Sequence, residues 1–461
     1  MNLVASLLYN LLLHLALPLV LARLWWRGRR EPGYREDWAQ RFGIYPQRTA
    51  GSRTAAQAAA DAKVDAQSDA HNDAENHAES DAGTSSAKPL IWLHAVSLGE
   101  TLAAGPLVLA LRQRYPQHRL LITHMTATGR AAAQREYGAF AELAWLPYDF
   151  PWAMRRFFNH FAPAIGIVME TEVWPNLAQC AQGHGVRLLL ANARLSERSA
   201  RSYQRAAALL RPAFAAFDVC AQTAADAERL KRLGVRTVSI SGNLKFDTAV
   251  TEAPPVTLAA LRALTGTRPV FLAASTREGE EALLLDGLAR APLNDAITVI
   301  VPRHPQRFDE VAVLLEKRQI RFVRRSAARV MTDDCTVLLG DSMGEMSAYF
   351  ALADCAFIGG SLVPVGGQNM IEACALGVPA LYGPHTFNFA GAAAQAVEAG
   401  AAQRIADADE LMGAVSALLG DAVKRSAMGS AGRAFCATHR GATARTMKVV
   451  AGLLAVAEVR R

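Results

Sequence analysis

Leu90-Ile-Trp92-Leu-His94-Ala-Val-Ser97-Leu-Gly99-Glu100 carries an apolar run into a small-residue turn and then into a helix-forming stretch, Thr101–Arg114. A strand that is apolar on both faces belongs in a sheet covered on both sides, which is the habit of parallel sheets. Similar runs recur at Leu120–His124, Ala164–Met169, Val186–Ala191, Phe217–Ala221 and Val238–Ser241, with Ala- and Leu-periodic stretches between them. Residues 251–258, Thr-Glu-Ala-Pro-Pro-Val-Thr-Leu, break this rhythm with a Pro-Pro pair and read as a hinge. The rhythm restarts at Val270–Ala274, Ile297–Val301, Val337–Leu339, Cys355–Ile358 and Ala380–Leu381. Strands alternating with helices, twice over, give an α/β fold class: two Rossmann-like domains facing a cleft, with ligands at the carboxyl ends of the strands. The expected domains are residues 89–250 and residues 251–461, the second including the terminal helices.

Residues 3–22 are almost all apolar, and about 20 such residues reach across a hydrocarbon core. Arg23, Trp25, Trp26, Arg27, Arg29 and Arg30 follow at once, an aromatic and basic interfacial pattern. With no Lys or Arg before the segment, the positive-inside rule keeps the rest of the chain on the cytoplasmic side. Asn10, His14 and Pro18 leave two forms of anchor open: a single-pass span, or a monotopic helix lying in one leaflet. Residues 1–22 are thus read as a membrane anchor and residues 23–49 as a basic juxtamembrane helical region.

Residues 50–88 alternate Ala with Asp, Asn, His, Ser and Glu and contain no apolar stripe, so they read as a disordered acidic insertion. Residues 51–88 carry a net charge of −4, which leaves +11 of the chain's +7 total on the remainder. Such a surplus suits anionic headgroups. Nucleic acid is excluded as a partner, because no aromatic-interleaved basic stripe or reading motif accompanies the charge. The six cysteines show no paired metal spacing and sit in apolar runs, as reduced buried thiols do.

The motifs at strand ends carry the chemistry. Glu100 opens a helix, where a carboxylate is either a simple complement to the helix dipole or a general base facing the cleft. Met169-Glu170-Thr-Glu172-Val-Trp174-Pro175-Asn176 places two carboxylates after a strand, one more than capping the next helix needs. Gly242-Asn243-Leu-Lys245-Phe-Asp247 ends the first half, with Lys245 either solvated or facing an anion. In the second half, Ala274-Ser275-Thr276-Arg-Glu278-Gly279-Glu280 offers hydroxyls, amides and a helix N-terminus, the components of a phosphate site. Val301-Pro302-Arg303-His304-Pro305 adds an arginine suited to bidentate anion binding. Gly340-Asp341-Ser342-Met343-Gly344-Glu345 is a tight turn, and Gly366-Gly367-Gln368-Asn369-Met370-Ile371-Glu372 puts Asn369 and Glu372 on one helical face. Several Gly-rich turns in strand order point to a nucleotide-type ligand. Asp407-Ala-Asp409 lies apart from them and reads as a helix start, so no metal and no cofactor is expected.

With these motifs assembled, the chain resembles the 3-deoxy-D-manno-octulosonic acid (Kdo) transferases, which have the glycosyltransferase type B (GT-B) fold. The resemblance rests on Arg23-Leu-Trp-Trp-Arg-Gly-Arg-Arg, Gly33-Tyr-Arg-Glu-Asp-Trp-Ala-Gln-Arg-Phe-Gly, His94-Ala-Val-Ser-Leu-Gly-Glu100, Met-Glu170-Thr-Glu-Val-Trp-Pro-Asn, Ala191-Asn-Ala-Arg-Leu-Ser, Leu-Lys245-Phe-Asp, Val-Pro302-Arg303-His-Pro, Met343-Gly-Glu345 and Asn369-x-x-Glu372. It implies a lipopolysaccharide enzyme that moves Kdo from a CMP-Kdo donor to the lipid A precursor (lipid IVA). It further implies Glu100 as catalytic base, Glu170 and Lys245 as transition-state stabilisers, and Pro302, Arg303, Met343, Gly344, Glu345, Asn369, Met370, Ile371 and Glu372 around the CMP portion. Gln368 stands where the family has histidine, which puts any contact through that imidazole in doubt. Two other readings stay open: a lipid-linked GT-B enzyme using a UDP-sugar, and a membrane-tethered nucleotide-binding protein without turnover.

Overall fold

The structure, a computed structural model, describes residues 3–46, 88–248, 253–293 and 295–459. The expected insertion over 50–88 therefore lies outside the described residues apart from Lys88, as does part of the Pro-Pro hinge segment.

The chain divides into two compact units, Met1–Thr248 with Gly441–Arg461, and Ala249–Arg440. The first holds a seven-stranded parallel sheet of β1 (Leu90–His94), β2 (Arg119–His124), β3 (Glu142–Trp145), β4 (Ile165–Met169), β5 (Arg187–Ala193), β6 (Phe217–Ala221) and β7 (Thr237–Ile240). Its strand order is β3-β2-β1-β4-β5-β6-β7. Residues alternate between two cores: Leu90, Trp92, Val168 and Leu188 pack on one face, Ile91, Leu93, Ile165 and Leu189 on the other. Each such side chain taken from water contributes about 1.5–3 kcal/mol. Gly166 makes room for the largest of them, since a Cβ there would meet the Trp92 ring at 2.6 Å.

The second unit repeats the architecture with β8 (Val270–Thr276), β9 (Ile297–Pro302), β10 (Phe322–Arg324), β11 (Val337–Leu339), β12 (Cys355–Ile358), β13 (Ala380–Tyr382) and β14 (Ala402–Arg404), ordered β10-β11-β9-β8-β12-β13-β14 and again parallel. In each sheet the order reverses beside the first strand, at β1/β4 and at β8/β12, so each unit has its own switch point at the carboxyl edge.

Three features depart from the sequence reading. The edge strands β3, β10 and β14 were not expected; they are short and partly exposed, so they lack the apolar run that marks central strands. The terminal helix Ala442–Val459 belongs to the first unit rather than to the second domain, burying Met447, Val450, Leu453 and Leu454 in the core beneath Leu189. The N-terminal helix runs from Leu3 to Arg30, carrying the basic cluster on its last turns rather than ending at residue 22. After it, two 3-10 turns, Pro32–Tyr34 and Trp38–Phe42, seat the buried Arg41 guanidinium 3.7 Å from the centre of the Trp145 ring. A cation on an indole face contributes about 1–2 kcal/mol when desolvated.

Candidate active site

In the first unit, the turn after β1 forms a reciprocal cap. Ser97 Oγ accepts from the Glu100 amide at 3.5 Å, while the Glu100 carboxylate accepts from the Val96 amide at 2.8 Å and from Ser97 Oγ at 3.1 Å. Glu100 thus lies in the first turn of the helix Leu98–Ala103, whose N-cap is Ser97, at the carboxyl edge of the sheet. Burial pushes its carboxyl from the ordinary 4.5 up to about 8, and the charges of Glu170 and Glu172 add to the rise. A carboxylate raised to this range is a competent proton acceptor near neutral pH.

Glu170 follows β4 in the left-handed region, φ 55°, with its amide still bonded to Ala191 O at 2.8 Å. A non-glycine residue held there stores roughly 1–2 kcal/mol, a strain typical of functional positions. Its carboxylate lies 3.5 Å from Arg194 Nε. Glu172 accepts from the Trp174 indole at 3.1 Å, and burial raises its carboxyl. Neither carboxylate caps the helix Pro175–Gly183. Asp149, far away in sequence, accepts from the Asn176 and Leu177 amides at 3.0 and 2.8 Å instead.

Lys245 arrives on a 3-10 turn, Leu244–Asp247, fixed from two sides. Asn192, also left-handed at φ 57°, accepts from the Leu244 amide at 3.0 Å, and Asn243 Oδ1 accepts from the Lys245 amide at 3.0 Å. Asp247 accepts from the Gly441 amide at 2.6 Å. Burial lowers the Lys245 ammonium from its ordinary value, while the charges of Glu170 and Glu100 oppose that shift. The structure thus gathers Glu100, Glu170 and Lys245, with Arg194 and Glu172 added, into one electrostatic cluster. The sequence reading assigned no role to Arg194, although it stands in a quoted motif. Beneath the cluster, His94 and His124 are neutral packing groups, pushed by burial to about 3 and about 4. Their Nδ1 atoms lie 3.0 and 2.9 Å from Thr123 O and Ala95 O.

In the second unit, Glu372 accepts from Asn369 Nδ2 at 3.0 Å, and Asn369 Oδ1 accepts from the Ile371 amide at 3.2 Å. Burial raises the Glu372 carboxyl, and the nearby Arg303 guanidinium works against that rise. Arg303, Asn369 and Glu372 therefore share one location, with Pro302 ending β9 and Met370 and Ile371 buried behind them. Met343 is 59% exposed and Gly344 has φ 80°. Glu345 is tied by Arg325 at 3.1 and 3.2 Å and by Ser342 Oγ at 2.6 Å. Arg325 had no signal in the sequence, because its partner lies in another turn.

At the expected phosphate site, Ala274–Glu280, part of the donor set is engaged by carboxylates of the loop's own helix. Buried Glu280 accepts from the Arg277 amide of this loop and from the amides of Gly360, Ser361 and Leu362, at 2.6–2.9 Å. Thr276 Oγ1 donates to Glu281 at 2.9 Å. Gly359 abuts this junction so closely that a Cβ would lie 2.4 Å from Ser275 O. Asp407, by contrast, starts a helix, accepting from the Asp409 and Glu410 amides at 3.0 and 2.9 Å.

Known proteins match this chain over most of its length. A sequence profile for 3-deoxy-D-manno-octulosonic-acid transferase (kdotransferase) matches residues 36–248. The 3-deoxy-D-manno-octulosonic acid transferase of Bordetella pertussis is 46% identical over 381 residues, 79% of this chain and 88% of that protein. The chain belongs to the Kdo transferase family. The Haemophilus influenzae member is 34% identical over 453 residues, 96% of this chain and 97% of that protein. Among solved structures, a glycosyltransferase from Rickettsia africae shares the fold at TM-score 0.57 and 11% identity, covering 80% of this chain and 99% of its own. Anabaena HepE in complex with UDP does so at TM-score 0.55 and 14% identity, covering 79% and 99%. The fold is GT-B, and a chain of this family is a glycosyltransferase whose reaction is Kdo transfer in lipopolysaccharide synthesis.

Proposed function

We propose that this Kdo transferase moves Kdo from CMP-Kdo to the lipid A precursor lipid IVA by direct, inverting displacement. The observation that carries this reading is the convergence of Glu100 with Glu170 and Lys245 in a unit separate from the one bearing Arg303, Asn369 and Glu372. Chemistry and acceptor belong to the first unit, and the nucleotide to the second.

An acceptor glucosamine hydroxyl attacks the anomeric carbon of Kdo, and its proton passes to Glu100. The bond from that carbon to the CMP phosphate oxygen breaks, and CMP leaves with the electron pair. Arg303 offsets the charge on the departing nucleotide, with Asn369 and Glu372 recognising its sugar hydroxyls. Met343–Glu345 forms the turn against the base. Glu170 and Lys245 supply a fixed field around the reacting centre that needs no rearrangement during the step. CMP carries a single phosphate, so the scheme includes no metal. The enzyme works at the cytoplasmic face of the inner membrane, where its anchor and basic surplus meet a phosphorylated acceptor.

The test is product mass on lipid IVA with CMP-Kdo, with UDP-sugars as competing donors. The expected result is an acceptor heavier by whole Kdo residues and stoichiometric CMP. Transfer from a UDP-sugar, or nucleotide binding without product, would replace this reading.

A further inference from the structure

The N-terminal helix is not a free tether. From Leu3 to Arg30 it shows two faces at helical spacing. Ser6, Tyr9, Asn10, Leu13, Leu17 and Val20 are partly buried, recurring every three to four residues. Leu7, Leu8, Leu11, Leu12, Leu15 and Leu19 are exposed by 55–74%. The polar residues that weakened a spanning reading have partners on the first unit. Tyr9 donates to Asp149 Oδ2 at 2.9 Å, and Asn176 Nδ2 donates to Asn10 Oδ1 at 2.8 Å. The His14 ring meets Phe150 edge-on at 5.1 Å. The helix also packs on Ala207–Phe214 of the same unit.

This seating and a membrane span exclude one another. From Ser6 to Val20 the docked stripe is about 21 Å long, most of the apolar segment. Were that stretch to cross the bilayer, the surface of the first unit around Asp149 and Asn176 would enter hydrocarbon with it, and polar groups there cost several kcal/mol each. We infer that the helix is clasped along the first unit and lies in the plane of one anionic leaflet, its leucine face in the acyl region. Trp25 and Trp26, 56% and 53% exposed, sit at headgroup level with Arg23, Arg27 and Arg29 alongside.

The clasp also reaches the chemistry. The Asp149 carboxylate held by Tyr9 is the one that caps Pro175–Gly183, the helix leading out of the Glu170–Trp174 loop. The leaflet is therefore joined, through one carboxylate, to the loop that we assign to catalysis. The geometry of the helix stands without that assignment.

Spin labels placed singly at Leu8→Cys, Leu12→Cys, Leu15→Cys and Leu19→Cys, in the full chain carrying Cys180→Ala, test this on phosphatidylethanolamine–phosphatidylglycerol vesicles. Collision with oxygen against a water-soluble nickel chelate reads their depth. An in-plane helix puts all four at one shallow depth, whereas a spanning helix separates the first and last by about 16 Å along the normal. Asn2→Cys, with protein added from outside to sealed vesicles, should label fully with a membrane-impermeant maleimide. Graded depths or a protected position 2 would overturn the inference. Neither readout involves turnover, so failure here is distinguishable from failure of the Kdo-transfer reading.

Discussion

Glu100→Gln removes a carboxylate that folding holds near pKa 8 rather than 4.5. Between those two values the folded chain binds the proton more tightly than the unfolded chain, so stability falls as pH rises through that window. At about 1.4 kcal/mol per pKa unit, ionised Glu100 costs the fold up to about 5 kcal/mol above pH 8. Glutamine removes that cost, but its amide accepts from only one of the two groups, Val96 N–H or Ser97 O–H, that now donate to the carboxylate. A lost bond of that kind returns about 1–2 kcal/mol. The net gain at pH 9 is about 3–4 kcal/mol, or roughly 6–16 °C in melting temperature. At pH 5 Glu100 is already neutral, and the gain should vanish. Turnover should move the other way, falling at least about 10²-fold with CMP binding retained, as loss of a general base demands. Wild-type kcat/KM should meanwhile rise about tenfold per pH unit until pH 8. Melting scans at pH 5 and 9, alongside CMP release with both substrates, decide the matter. Equal melting of variant and wild type at pH 9, or near-normal turnover, would refute the reasoning.

Four further outcomes follow from the geometry. Lys245→Met should lower turnover by about 10²-fold while leaving CMP affinity intact, since the charges it meets are those of Glu170 and Glu100 in the first unit; turnover and calorimetry with CMP separate the two. Arg303→Ala and Glu372→Ala should each weaken CMP binding by about tenfold or more in calorimetry, and unchanged affinity in both would move the nucleotide elsewhere. Transfer should persist in excess EDTA, and its loss with recovery on Mg²⁺ would favour a UDP-sugar donor. Leu454→Ala, in a helix that closes the core of the first unit, should cost about 2–4 kcal/mol in urea unfolding despite lying near the chain end.

The central strands were legible because each is buried on both faces and leaves an unbroken apolar run. Edge strands such as Glu142–Trp145 and Phe322–Arg324 have one flank open and blend into their surroundings. The motif residues could be named because turns at strand ends keep their chemistry within a few positions. What stayed hidden depends on partners far along the chain. Nothing local to Glu280 announces that the amides of Gly360, Ser361 and Leu362 converge on it. Asp149 has no motif at all, yet it caps a helix 26 residues later and holds Tyr9. Asn10 and His14 looked like blemishes in a span, and their meaning lies on the surface they meet.

That the final helix completes the first unit has a consequence for biosynthesis. The ribosome releases the apolar N-terminal helix first, and the second unit, Ala249–Arg440, is a finished sequence before the last 21 residues emerge. The first sheet must then wait, with Leu189 and its neighbours uncovered, until Met447–Leu454 arrives. Contacts spanning so much chain form late and slowly. The N-terminal helix is therefore made long before the unit it belongs to can close. A chain cut before Met447 would leave the first unit unfinished, with its open core facing chaperones and proteases.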